Sequence, residues 1–124
     1  MTIQRALDMT DKMLANTMDR ELKLYFLTQI EQMIHQEIVL KHHHEEIPEE
    51  PPVYTTDTDP GTELRIPDPY SDLYYYYLMS KIDEQNLEFD KFNSHRLMFE
   101  NLYGTMSDWY TREHMPLGVP QLRM

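Results

Sequence analysis

A single stripe of side chains dominates the second half of the chain: Tyr74, Leu78, Ile82, Gln85, Phe89, Phe92, Arg96, Phe99, Tyr103, Met106 and Tyr110. Its steps alternate between four and three residues, the spacing that keeps one face of an α-helix turned inward. This predicts helix over residues 69–113, either continuous or broken. Unbroken, a helix of about 45 residues would reach about 67 Å, longer than a small domain can cover. The helix is therefore expected to break near Phe92, Asn93 and Ser94, or to project into an assembly. Asp68 and Pro69 read as its start, with Asp as N-cap and Pro as the first helical residue.

The four consecutive tyrosines, Tyr74, Tyr75, Tyr76 and Tyr77, test this reading. Each helical step turns about 100°, so four neighbours cannot all face one core. Tyr74 opens the stripe and is expected to be buried, with Tyr77 at the stripe's edge. Tyr76 is left without an internal partner and is expected to meet a neighbouring helix or subunit. A second strip, about 100° round the helix, contains Leu73, Tyr76, Tyr77, Met98, Leu102 and Trp109. It needs another surface, either the folded-back half of the same region or a second subunit.

Upstream, Ile3, Ala6, Leu7, Thr10 and Leu14 mark a short helix, which Ala15, Asn16 and Thr17 interrupt. A second amphipathic helix starts near Met18 with Leu22, Tyr25, Phe26, Ile30, Met33, Ile34 and Ile38 on one face, and ends around 41–43. Between it and the tyrosines lies a stretch rich in Pro and acidic residues, with five of the eight prolines at 48, 51, 52, 60 and 67. Prolines remove backbone donors, so this loop, about 43–67, is expected to be irregular, with short strands allowed at 53–55 and 63–66. A loop of this length is expected to be mobile until a partner orders it. After His114 two prolines and a glycine make residues 115–124 an extended tail. The expected fold is all-α: a small helical bundle over 1–114, with the long loop between the second and third helices.

The 124 residues, 40% of them apolar, suffice for one modest core. A mean hydropathy of -0.67, with no apolar run of spanning length, speaks against a membrane protein. The N-terminus lacks a basic segment followed by an apolar run, so no signal peptide is expected and a cytoplasmic origin fits. The absence of cysteine excludes disulfides and thiolate metal sites. The net charge of -11 opposes binding to phosphate backbones. Ten methionines and nine tyrosines against three glycines favour adaptable contact over phosphate cradles or tight catalytic turns.

The most metal-like group is His42, His43 and His44 followed by Glu45 and Glu46. Consecutive side chains diverge, however, and a solvated helix end, with histidines at the negative pole of its dipole, explains them better. His35, His95 and His114 have no Ser or Cys nucleophile motif around them and read as packing or surface residues. The acidic pairs and the run of Asp57, Thr58 and Asp59 lack the twelve-residue calcium-loop pattern. No metal, cofactor or catalytic residue is assigned.

The segment PDPYSDLYYYYLMSKIDEQNLEFDKFN, with the aromatic helix ending DWYTREHMP, resembles the small head-to-tail connector (adaptor) proteins of long-tailed phages and prophages of Gram-positive bacteria. The stretches MTIQRALDMTDKM, ELKLYFLTQIEQMIHQEIVL and TDTDPGTELRIPDPY are similar to that group in kind and order, so the likeness covers almost the whole chain. HHHEEIPEEPP departs from it. The resemblance implies a non-enzymatic virion protein of the neck. It would form a homo-oligomeric ring under the portal, matching the portal's twelve-fold symmetry, and would extend a channel through which DNA slides without specific binding. Its partners would be the portal protein and the next tail-proximal neck protein, with no membrane involved. By position, the subunit or portal interface would fall to Tyr76, Trp109, Tyr110, Met115, Pro116, Leu117, Val119 and Leu122. A tail-side or inter-subunit loop would use His43, His44, Glu45, Tyr54, Asp57 and Asp59. The alternatives are another phage tail-completion or assembly protein, or a His-rich metal-binding protein.

Overall fold

The computed structural model describes residues 1–117. Four α-helices follow in order: α1 (Ile3–Met13), α2 (Arg20–Glu37), α3 (Leu73–Gln85) and α4 (Phe89–Glu113), with single 3-10 turns at Val39–Lys41 and Tyr70–Asp72. No strand forms among the described residues, only two isolated bridges, Thr2 with Glu63 and His42 with Pro116. No helix among them is long and apolar enough to cross a membrane. The fold is thus a helical bundle, as the periodicity predicts.

Local chemistry explains the first two helices. Thr2 accepts a hydrogen bond from the Arg5 amide through its side chain, and Asp19 does the same for Leu22, so both helices begin on side-chain caps. Leu14 leaves helical geometry and ends α1. The buried Lys23 ammonium reaches the Asp11 carboxylate at 2.6 Å and clamps α2 to α1. Partial burial pushes the Asp11 carboxyl up, but the bonds from Lys23 and Asn16 win and hold it below its ordinary value.

The buried face of α2 differs from the expected one. Lys23, Leu24, Leu27, Thr28, Ile30, Glu31, Ile34 and His35 point inward, while Tyr25 is 59% exposed. A stripe at positions 24, 27, 28, 31, 34, 35 and 38 also has helical spacing, but three of its members are polar. Hydropathy alone passes over it.

The helix of 69–113 is a hairpin of two, and its break lies at Asn86, Leu87 and Glu88 rather than at 92–94. The Asn86 amide closes on the Ile82 carbonyl, Leu87 on Glu84 and Glu88 on Asp83. Leu87 takes φ 57°, a left-handed conformation that is strained for a side chain with a Cβ. The turn is so short that Gln85, Phe89 and Phe92 keep their three- and four-residue spacing across it, which hides the reversal from any reading by period. Along the hairpin seam Tyr77 packs on Phe99 with ring centroids 5.1 Å apart, and Phe99 on Tyr103 at 5.5 Å. Leu78 and Met106 are fully enclosed nearby.

The start of α3 also differs from expectation. The Asp68-Pro69 peptide is cis, the 3-10 turn intervenes, and the helix proper begins at Leu73. The Asp68 carboxylate accepts from the Ser71 hydroxyl, and neither the turn nor the helix begins on a side-chain cap.

Residues 42–69 form a strap laid over the helices. The Ile3 and Gln4 amides donate to the carbonyls of Thr62 (2.9 Å) and Pro60 (3.0 Å), and the Leu64 amide donates to that of Met1 (2.8 Å). Tyr54, Leu64 and Ile66 sink into the core from this strap. The short strands expected at 53–55 and 63–66 do not form; beside 63–66 there is only the single Thr2 to Glu63 bridge.

Candidate assembly surface

At the centre of the molecule sits a carboxylate, Glu31, with 0% exposure. Its Oε2 accepts from the Tyr54 hydroxyl at 2.7 Å and from the Arg65 amide at 3.0 Å. Its Oε1 accepts from the Tyr74 hydroxyl. Tyr74 in turn accepts from the Ile66 amide at 2.9 Å. One tyrosine therefore ties α2, α3 and the strap together. Burial pushes both phenols upward and the Glu31 charge adds to this, so both stay donors at neutral pH. A buried charge needs this many partners to be tolerated at all.

The four tyrosines now separate by contact. Tyr74 is 0% exposed, and Tyr75 and Tyr77 are also buried, at 7% and 3%. Tyr77 donates to Gln29 of α2. Tyr76 is half-buried, touching the Tyr75 ring and lying 6.5 Å from the His95 ring of α4. A helix of the same chain thus takes up part of the surface that the sequence leaves unassigned.

The remainder lies on α4, which buries only Phe99, Met106 and Tyr110 among its 25 residues. Leu97, 58% exposed, points away from the seam, while Phe89 (65%) and Met98 (42%) flank it. Met98, Leu102 and Trp109 follow one edge of the helix, with Leu102 and Trp109 half-covered by the core. The Trp109 ring stacks on Tyr70 at 5.1 Å. Leu87, 70% exposed, extends the apolar surface to the hairpin tip.

The other expected interface residues fall at the opposite end of α4. Tyr110 is 8% exposed, packed between His42 (5.1 Å) and His114 (4.3 Å). It belongs to the chain's own core, which leaves its ring little to offer a partner. Met115 and Leu117 sit half-exposed where the tail pairs with residues 41–43. The His43 amide donates to the Met115 carbonyl, and the Leu117 amide to that of Lys41, both at 2.7 Å. Pro116 faces His42 in the bridge between them. Val119 and Leu122 lie outside the described residues.

Of the loop residues, Tyr54 is buried, not presented, because its ring fills the core and its hydroxyl serves Glu31. His43, Glu45, Asp57 and Asp59 are exposed. The Asp59 carboxylate accepts from the Gly61 amide at 2.8 Å, shaping its own turn. The His44 Nε2 donates to the Val39 carbonyl at 2.9 Å, and His42 bonds Ile38 and Thr111. Among the described residues no three His, Asp or Glu side chains are grouped to hold a metal ion.

The Glu31 network is what reading by period misses. Its only local signal is a carboxylate set among Leu27, Ile30 and Ile34 on one helix face. Compared with known proteins, the chain matches no family model, no curated protein and no solved structure.

Proposed function

We propose that the chain is a non-enzymatic structural protein of a phage particle. In this reading it is a head-to-tail connector that assembles as a homo-oligomeric ring under the portal, extends the DNA channel and offers a platform for tail attachment. The observation that carries the reading is the exposure of Leu97 on the outer side of α4, with Met98 and Phe89 exposed at its two edges, on a helix with three buried residues. Exposed apolar side chains gathered along one helix mark a candidate contact surface. Further along the same helix Trp109, stacked on Tyr70, is the type of side chain that anchors interfaces. The resemblance of the sequence to connector proteins names the partner class. The net charge of -11 fits a channel along which DNA slides without sticking.

Mass spectrometry of purified phage particles separates this role from a transient one. A connector remains in the finished particle in a fixed ratio to the portal. An assembly factor of the same fold is lost on purification, and that result would overturn the structural role.

A further inference from the structure

Where the strap crosses α2 it leaves an apolar groove of about 230 Å³, bordered by Tyr25 of the helix and Val53 of the strap, with Thr28 and Tyr54 between them. Tyr25 is 59% exposed and Val53 65%, so the chain's own fold leaves both apolar borders open. The floor is fixed in advance. Tyr54 donates its amide to the Thr28 hydroxyl at 2.9 Å and its own hydroxyl to Glu31 at 2.7 Å, while Thr28 donates to the Leu24 carbonyl at 3.0 Å. A groove shaped by buried bonds of this kind loses little freedom when something enters it. Its volume lies below the roughly 300–1,000 Å³ usual for small-molecule sites, which favours a protein side chain as the occupant.

Charge narrows the choice of that side chain's neighbours. Tyr54 also lines a second depression, of about 370 Å³, together with Glu31, Glu49, Glu50, Glu63 and Arg65, and Glu21 lines the groove itself. Five carboxylates therefore stand against one guanidinium. Glu31 is occupied by Tyr54, Tyr74 and the Arg65 amide, and Glu63 by the Met1 amino group. The Arg65 guanidinium is taken by His35 and the Glu49 carbonyl. Glu21, Glu49 and Glu50 are exposed and form no ion pair among the described residues. Residues 42–69 hold eight acidic residues and one basic one, so they carry -7 of the net charge of -11.

We propose that the groove is a docking site for a segment of a partner protein in which an apolar side chain stands beside arginine or lysine. The apolar side chain lies between Tyr25 and Val53, and the cation turns to Glu21 or to Glu49 and Glu50. The open Tyr25 ring gives such a cation a further face to rest on. A phosphate backbone is repelled by the same carboxylates. This inference concerns the strap side of the chain and does not depend on a ring built through α4.

Amide and aromatic resonances of the full chain, followed during titration with a short blocked peptide of alternating leucine and arginine, test it. The Tyr25 ring and the Val53, Tyr54 and Thr55 amides are expected to shift, with affinity falling as salt is added. Val53→Ser and Tyr25→Ser, both at exposed positions, should each weaken binding by about tenfold through lost apolar contact. Glu49→Gln combined with Glu50→Gln should weaken it by about two- to fivefold. A peptide with glycine in place of leucine keeps the charge and should bind about tenfold less well. Equal affinity for the glycine peptide would reduce the effect to general attraction by an acidic chain and overturn the site. Shifts confined to other elements, or wild-type affinity in both serine variants, would also overturn it. Shifts of the same resonances with protein concentration alone would give the groove to a second copy and contradict the proposal.

Discussion

Glu31→Ala is expected to cost about 3–5 kcal/mol of folding stability, the typical loss when one member of a buried charged network is removed. Three donors converge on this carboxylate: the Tyr54 and Tyr74 hydroxyls and the Arg65 amide. With alanine in its place they lose their shared acceptor in a site with 0% exposure at its centre. Against a total of about 5–15 kcal/mol for an ordinary domain, a loss of this size brings the fold near its limit. Urea unfolding followed by circular dichroism measures it. The same network predicts that Tyr74→Phe costs less than Glu31→Ala, since it leaves the carboxylate with two of its donors and strands only the Ile66 amide. A loss below about 1 kcal/mol for Glu31→Ala would mean that the strap and helices hold together without this centre.

The second large effect separates the two sides of α4. Phe99 is 3% exposed, in ring contact with Tyr77 and Tyr103 and beneath the Arg96 guanidinium. Phe99→Ala should lower stability by about 3–5 kcal/mol, through lost burial and the cavity left behind. Leu97, two residues earlier, is 58% exposed, and Leu97→Asp should change the stability of the isolated chain by less than about 0.5 kcal/mol. If the outer side of α4 meets a neighbouring subunit, the same Leu97→Asp change should weaken assembly by about 2 kcal/mol or more per contact, because it buries an unpaired charge. Thermal melts of both variants, set beside their sedimentation behaviour, give the comparison. A Leu97→Asp chain that assembles like the wild type would remove α4 from the interface.

The helical character, the burial of Tyr74 and the stripe through Leu78, Phe99 and Met106 were legible because they depend on local spacing. The hairpin turn at Leu87 was not, since a three-residue turn that preserves the phase of Gln85, Phe89 and Phe92 leaves no trace in the period. The inner face of α2 was misjudged for a different reason. Thr28, Glu31 and His35 sit on the buried stripe, and their burial depends on partners far along the chain. Tyr54 lies 23 residues from Glu31 and Tyr74 lies 43. A polar residue is satisfied in the interior only by what folding brings to it, and no local pattern records that. Tyr110 and Tyr54 show the same limit from the other side: both stand where a surface role reads naturally, and the strap and the histidines enclose them.

The account rests on the idea that the outer side of α4 is covered by other copies of the chain. Negative-stain imaging of the purified protein mixed with the portal protein that the proposed role requires tests this most directly. The account predicts an added ring of density on one face of the portal, which Leu97→Asp abolishes while leaving the chain folded. Particles of bare portal beside persistent monomers of wild-type chain would contradict it.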